Sequence, residues 1–191
     1  ILLWGFNPHA SWPAAAARIS RAKAAGAKLI VIDPRKSAVA EKADLWLRVR
    51  PGGDGALAMS MIHVLLEENL YGENFVRDWT NGSFLVRQDN HQLLTARDFL
   101  QSGDPETFFV WDNRSNDLVS YRADQGYAQG DVVPALSGAH AVTLAGGKVL
   151  ECRPAFDQLT KLAAQYAPEG SEELTSVAAA DVRKAARPAN L

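Results

Sequence analysis

Ile1-Leu2-Leu3-Trp4-Gly5-Phe6-Asn7-Pro8 and, further on, Leu29-Ile30-Val31-Ile32-Asp33-Pro34-Arg35 frame the stretch whose reading decides the fold. Leu29 to Ile32 is an unbroken apolar run, the pattern of a parallel strand buried on both faces. Leu2 to Trp4 reads as a second, short buried strand, left through a turn at Gly5 to His9. Between them lies an alanine-rich segment, Ala14 to Ala25, with Arg18, Arg21 and Lys23 as its polar positions. Ser11 is placed to cap this helix, Pro13 suits its first turn, and Gly26 stands where a helix ends. Residues 1–32 therefore spell strand, helix, strand, and Pro34 ends the second strand because it has no N–H for the ladder.

The pattern continues outward. A short helical stretch, Ser37 to Lys42, leads to Leu45-Trp46-Leu47-Arg48-Val49-Arg50, whose alternation predicts a strand with one wetter face. Pro51-Gly52-Gly53-Asp54-Gly55 is a turn, followed by helices over Ala56 to Glu68 and Glu73 to Thr80. Past Asn81-Gly82 helical periodicity is lost. Short strand-like runs replace it: Phe84 to Arg87, a hairpin of Phe108 to Trp111 with Leu118 to Tyr121, Val132-Val133, His140 to Leu144 and Lys148 to Cys152. Helices return at Ala155 to Tyr166 and Ala178 to Ala186, the second preceded by Thr175-Ser176 as a start signal. The expected architecture is α/β: a Rossmann-like parallel sheet flanked by helices, with a small β-rich insertion. Its expected parts are residues 1–82 (cofactor binding), 83–153 (insertion) and 154–191 (helical return).

Composition narrows the function. The chain has 191 residues, 47% hydrophobic and 22% charged, with 20 Lys and Arg against 22 Asp and Glu, for a net charge of −2. That balance is typical of a globular domain and carries no electrostatic footprint for nucleic acid or a membrane surface. The longest apolar runs are too short to span a bilayer. A single cysteine, Cys152, excludes an internal disulfide, a cysteine zinc site and an iron–sulfur cluster built by these residues alone, and reads as a small buried hydrophobe. His9, His63, His91 and His140 lack metal-ligand spacing. No Gly-x-Gly-x-x-Gly, P-loop or Gly-x-Ser-x-Gly motif is present. Glu67-Glu68 and Glu172-Glu173 read as solvated surface. The abrupt start inside a strand suggests an excised internal segment, so localisation is not legible.

Three loops should leave the carboxyl ends of the parallel strands, where ligands of open α/β sheets collect. In the first, Gly5 permits close backbone approach, Asn7 can donate and accept in one plane or adopt a left-handed turn, and the following helix start offers N–H groups to a phosphate. In the second, Asp33 is placed to accept from ribose hydroxyls, or to cap its own turn, and Arg35 could face a phosphate. In the third, the Asp54 carboxylate can accept side by side from two adjacent donors such as N1–H and N2–H of guanine, or can cap the next helix.

Trp4-Gly5-x-Asn7-Pro8, Ile32-Asp33-Pro34-Arg35, Ala43-Asp44, Arg50-Pro51-Gly52-x-Asp54-x-Ala56-Leu57, Glu67 to Tyr71 and Phe75-Val76-x-x-Trp79-Thr80 occur in an order that resembles the dimethyl sulfoxide reductase family of molybdopterin oxidoreductases. Asn81 to Arg87 and Tyr166-x-Pro168-Glu169 resemble its acetylene-hydratase-like and anaerobic dehydrogenase members. The resemblance implies a domain holding the guanosine end of a molybdopterin guanine dinucleotide. Gly5, Phe6 and Asn7 would then meet diphosphate and sugar, Asp33, Pro34 and Arg35 the ribose and base, and Asp54 the guanine, with Gly52 and Gly53 beside it among the cofactor-binding residues. Phe6 stands where the family usually has a small residue and Gly53 where it has a polar one, so contacts there would be to backbone. The resemblance further implies a molybdenum or tungsten enzyme in which this segment alone is inactive. A [4Fe-4S] cluster outside the segment, the parent's other domains and an iron–sulfur electron-transfer subunit would be its partners. Two other classes fit the same loops: a non-catalytic scaffold of a respiratory-complex-like subunit, and a nucleotide-dependent dehydrogenase domain.

Overall fold

A computed structural model describes residues 1–187; the last four residues of the expected helical return segment, 188–191, lie outside the described residues. The chain forms two compact units, residues 1–70 with 163–187, and residues 71–162.

The first unit is built on three parallel strands, β1 (Leu2–Trp4), β2 (Ile30–Ile32) and β3 (Leu45–Leu47), in the order β1-β2-β3. Leu3 pairs with Val31, and Val31 with Trp46. Alternate side chains of β2 go to opposite faces. Ile30 and Ile32 join Leu45, Leu47, Leu57 and Val182, while Val31 joins Leu3, Leu29 and Val39. Burial on both faces explains why Leu29 to Ile32 has no polar position. One face is covered by α2 (Pro13–Ala24), through Ile19. The other is covered by α3 (Asp54–Glu67) and α7 (Ala179–Ala186), with α6 (Pro168–Thr175) packed on α3.

Several element ends differ from expectation, each for a local reason. Asn7 is followed at once by a single-turn helix, α1 (Pro8–Ser11), so Ser11 caps nothing: its hydroxyl donates to the Asn7 carbonyl at 3.0 Å. Trp12 precedes α2 without a side-chain cap. β3 stops at Leu47, because Val49 folds its N–H back to the Leu47 carbonyl and Arg50 donates to Thr175. The span from Ser37 tightens to one 3₁₀ turn, Ala40–Lys42. Thr175-Ser176 starts no helix. Thr175 is the last residue of α6, and Ser176 ends it in the left-handed conformation at φ 60°. Glu172 supplies the missing start signal by accepting from the Ala179 N–H at 2.6 Å.

Asp44 shows why an exposed carboxylate belongs between two buried segments. It accepts from Lys23 Nζ at 2.6 Å and from the Leu29 N–H at 2.9 Å, tying the end of α2 to the entry of β2. Those hydrogen bonds, the lysine's first, hold its carboxyl down at about 2.

The second unit contains two antiparallel sheets. One has the order β4-β9-β8, from β4 (Leu85–Arg87), β9 (Val149–Pro154) and β8 (His140–Thr143); the other is β5 (Phe108–Asp112), β6 (Asp117–Arg122) and β7 (Gly126–Tyr127). The expected hairpin is β5–β6, with Phe109 opposite Ser120 and Asn116 at φ 54° in its turn. Val132-Val133 is not a strand. It is fastened to β5 by the Asn113 N–H to the Val133 carbonyl and the Val133 N–H to the Asp112 carboxylate. Helices α4 (Glu73–Trp79) and α5 (Ala155–Ala163) flank these sheets in sequence.

Candidate functional site

The carboxyl ends of β1, β2 and β3 lie at one edge of the parallel sheet, and each delivers one of the three loops. Gly5 takes the positive backbone angle, φ 57°, and donates its N–H to the Ile32 carbonyl at 2.8 Å. A side chain there would be strained by backbone conformation rather than crowding, since nothing lies within 4 Å of its would-be Cβ. Phe6 packs against the cluster of Leu3, Val31 and Val39, which explains a bulky residue in this loop. Asn7 is not left-handed, at φ −106°. Its side chain does not cap α1, and Asn7 Oδ1 is buried with no hydrogen-bond partner among the described residues. The helix-start reading of this loop is corrected. Pro8 has no N–H, and the Ala10 and Ser11 amides donate back to the Asn7 carbonyl.

Asp33 accepts from the Arg35 N–H at 2.7 Å through one carboxylate oxygen, so it does cap its own turn. Its carbonyl accepts from the Trp46 indole at 2.9 Å. Pro34 and Arg35 are exposed, and Lys36 sits 5.8 Å above the Trp46 ring. A cleft of about 510 Å³ is lined by Pro34, Arg48, Val49, Arg50, Pro51 and Ser176. A larger hollow, about 650 Å³, involves none of the loop residues. It is lined mainly by apolar side chains such as Leu2, Met61 and Leu65, and its charged members, Glu68 and Arg187, are paired with each other.

The third loop is clamped. Arg50 donates its N–H to the Thr175 carbonyl at 2.8 Å and its guanidinium to the Glu173 carbonyl at 3.1 Å. Gly52 is left-handed at φ 87°. Gly53 is not, but its would-be Cβ lies 2.8 Å from the Leu174 carbonyl oxygen. Close backbone approach is therefore the physical reason for a glycine where the resemblance expects a polar side chain. Asp54 is the first residue of α3 rather than its cap, so the capping alternative falls. Its Oδ1 instead accepts from Trp4 Nε1 at 2.7 Å. Sequence reasoning missed this contact, although the tryptophan and the aspartate both stood in quoted motifs.

Elsewhere the polar groups are structural. Glu67, Glu68 and Glu169 pair with Arg183, and Glu68 also with Arg187, which makes the acidic pair part of an ion-pair cluster rather than plain solvated surface. No group of three His, Cys, Asp or Glu side chains able to hold a metal occurs among the described residues. None of the helices described there is long and apolar enough to cross a membrane. Cys152 is fully buried between Leu85, Leu94 and Val142, and burial pushes its thiol up to about 11. The folded protein should therefore leave Cys152 unmodified by iodoacetamide at pH 8, with labelling only after denaturant is added; mass spectrometry that finds labelling without denaturant would contradict this burial.

A small parallel sheet with three loops gathered at its carboxyl edge, followed by antiparallel sheets, defines a mixed α/β protein. The family is settled by comparison: the molybdopterin oxidoreductase model matches residues 1–173, and the chain belongs to that family. It is 34% identical to the perchlorate reductase alpha subunit of Dechloromonas aromatica (strain RCB), over 98% of this chain and 23% of that protein. It is 33% identical to the dimethylsulfide dehydrogenase alpha subunit of Rhodovulum sulfidophilum, over 93% of this chain and 20% of that protein. Acetylene hydratase from Pelobacter acetylenicus shares its fold, with a TM-score of 0.52 and 24% identity over 97% of this chain and 16% of that one. The chain thus spans about a fifth of the length of the curated relatives it matches.

Proposed function

We propose that the carboxyl edge of the parallel sheet holds the guanosine end of a molybdopterin guanine dinucleotide, within a molybdenum or tungsten oxidoreductase of which this chain is one part. On this reading the first unit is Rossmann-like. Residues 1–82 carry the three binding loops, 83–153 form an insertion, and within the return segment that starts at 154 residues 173–175 close the third loop from behind. The observation that carries the reading is Asn7 Oδ1, a buried acceptor without a partner among the described residues, beside a Gly5 whose open side leaves room for a ligand. Burying such a group is unfavourable unless something satisfies it.

The residues present fit the group. Gly5 and the Phe6 backbone admit a diphosphate, and Asn7 offers an amide to it or to the sugar. Asp33 keeps one carboxylate oxygen for ribose hydroxyls, since the other is used by Arg35. Arg35, Lys36, Arg48 and Arg50 are exposed around the second and third loops, where their charge suits an anionic ligand. Pro34, Gly52 and Gly53 shape the walls, and Asp54 accepts from a guanine edge. When bound, the metal and pterin supply the two-electron or oxygen-atom transfer. This segment binds and orients, and the catalytic steps belong to the rest of the parent. That parent would carry an iron–sulfur cluster and an electron-transfer partner, in keeping with relatives named as alpha subunits.

Asp54→Ala in the full-length protein tests the assignment. Loss of one charge-assisted bond is worth about 1.5–3 kcal/mol, or roughly ten- to a hundredfold in affinity. The expected result is a fall in GMP released on acid hydrolysis and in metal per chain, with the folded circular dichroism spectrum retained at 25 °C. Full occupancy in the variant would remove the guanine assignment.

A further inference from the structure

We infer that Trp4 is a specificity-determining residue that acts through Asp54, a role that rests on the guanine reading above. Trp4 ends β1, and its ring packs against the core cluster that contains Ile32, Leu47 and Leu57. Its Nε1–H reaches Asp54 Oδ1 at 2.7 Å. The ring is thus held by the core and presents one donor, the usual arrangement of an indole with an apolar body and a polar tip.

Asp54 needs such a constraint. It is exposed, it is the first residue of α3, and it caps nothing, so its own helix does not fix its carboxylate plane. A carboxylate offers about four lone-pair sites. The indole takes one of them on Oδ1, which fixes the plane and leaves an acceptor site on Oδ1 and both on Oδ2. Guanine presents two adjacent donors, N1–H and an N2–H, which need both oxygens in one plane. Hypoxanthine presents N1–H alone, which a freely turning carboxylate can satisfy equally well. Adenine presents no such pair. Trp4 therefore sharpens the preference of Asp54 for guanine over hypoxanthine by holding the carboxylate in the plane that the second bond needs.

The test is a titration of full-length protein, produced without its cofactor, with GDP, IDP and ADP by calorimetry. Wild-type protein should prefer GDP to IDP. Trp4→Phe retains a ring in the core and removes the donor. Freeing one ordered side chain should cut the GDP-to-IDP affinity ratio by roughly three- to tenfold, while IDP affinity changes by less than about twofold. Placing 3-benzothienylalanine at position 4 keeps the bicyclic shape without the N–H, and should reproduce the reduced ratio even if Trp4→Phe folds poorly. An unchanged ratio in both variants, or an equal loss for all three nucleotides, would overturn the role of Trp4. A wild-type protein with no preference for GDP would instead overturn the guanine reading of Asp54, and this inference with it.

Discussion

Gly53→Ala is expected to destabilise the first unit by about 3 kcal/mol, because the new methyl has no room to move into. Its Cβ would stand 2.8 Å from the Leu174 carbonyl oxygen and 3.1 Å from both the Arg50 carbonyl oxygen and Thr175 Cα. All three are backbone atoms, so no rotamer change relieves the contact. Either the turn or the end of α6 must shift, and the bond from the Arg50 N–H to the Thr175 carbonyl shifts with it. The backbone angles of Gly53, φ −87° and ψ −2°, are ones alanine adopts freely, so the whole effect comes from close approach. Gly52→Ala is the control with the opposite cause. Its φ of 87° is unfavourable, but nothing lies within 4 Å, and the expected cost is about 1 kcal/mol. Hydrogen exchange at the Arg50 amide, together with melting of the full-length protein, separates the two. Gly53→Ala should lose protection at Arg50 and Gly52→Ala should largely keep it. Equal behaviour would mean that the return segment does not clamp this loop. On the proposed function, Gly53→Ala should also lose cofactor, since Asp54 follows directly.

The frame of the first unit is legible in the sequence because its signals are strong and local. Leu29 to Ile32 can be buried only on two faces, Gly26 does follow the end of α2, and the alanine-rich run between the strands has little alternative to helix. The edges were not legible. Ser11 looked like a cap because serine before Pro13 fits that rule, yet Pro8 had already begun a turn of helix that used the serine hydroxyl on Asn7. Helix α6 has no local signal strong enough to show it: Pro-Glu-Gly-Ser-Glu-Glu-Leu-Thr, residues 168–175, is short and carries Gly170 and Ser171, poor helix formers, and packing on α3 decides it. The change of character placed after Gly82 follows the loss of helical periodicity, whereas the compact unit Tyr71–Leu162 also takes in α4 and most of α5. Periodicity reports local conformation, and long-range packing sets the unit.

The candidate residues were legible one at a time, and their joining was not. Local rules place Asp33 in a turn and Asp54 near a helix start, but nothing local says that a tryptophan serves each loop. Trp46 donates to the Asp33 carbonyl and Trp4 to the Asp54 carboxylate, and both bonds cross between elements. The reason for Gly53 was equally hidden, since the backbone that crowds it comes from residues 174 and 175.

Asp112→Ala should produce the largest loss in the second unit, about 3–4 kcal/mol, because one buried carboxylate organises a whole turn. Asp112 is only 4% exposed. Its Oδ2 accepts from the Ser115 hydroxyl at 2.7 Å and the Ser115 N–H at 2.9 Å; its Oδ1 accepts from the Val133 N–H at 2.8 Å and the Arg114 N–H at 3.1 Å. Alanine would leave three backbone donors unpaired, and would remove one of the bonds that hold residues 133–135 to β5, leaving those from the Asn113 and Ala135 amides. The bond to the Ser115 side chain, followed by the Val133 amide, holds the Asp112 carboxyl well below the usual carboxylate range, against the opposing effect of burial. A carboxyl that is more acidic in the folded than in the unfolded chain stabilises fully above the unfolded value, about 3.9, and loses that contribution as pH falls toward the folded value. The difference between wild type and Asp112→Ala should therefore be full at pH 7 and begin to shrink below about pH 4. Exchange of the Arg114, Ser115 and Val133 amides in the full-length protein reads the effect site by site. Asp112→Asn, which keeps one carbonyl acceptor, should lose protection at some of these amides and retain it at others. If all three stay protected in Asp112→Ala at pH 7, the turn is held by something other than this carboxylate.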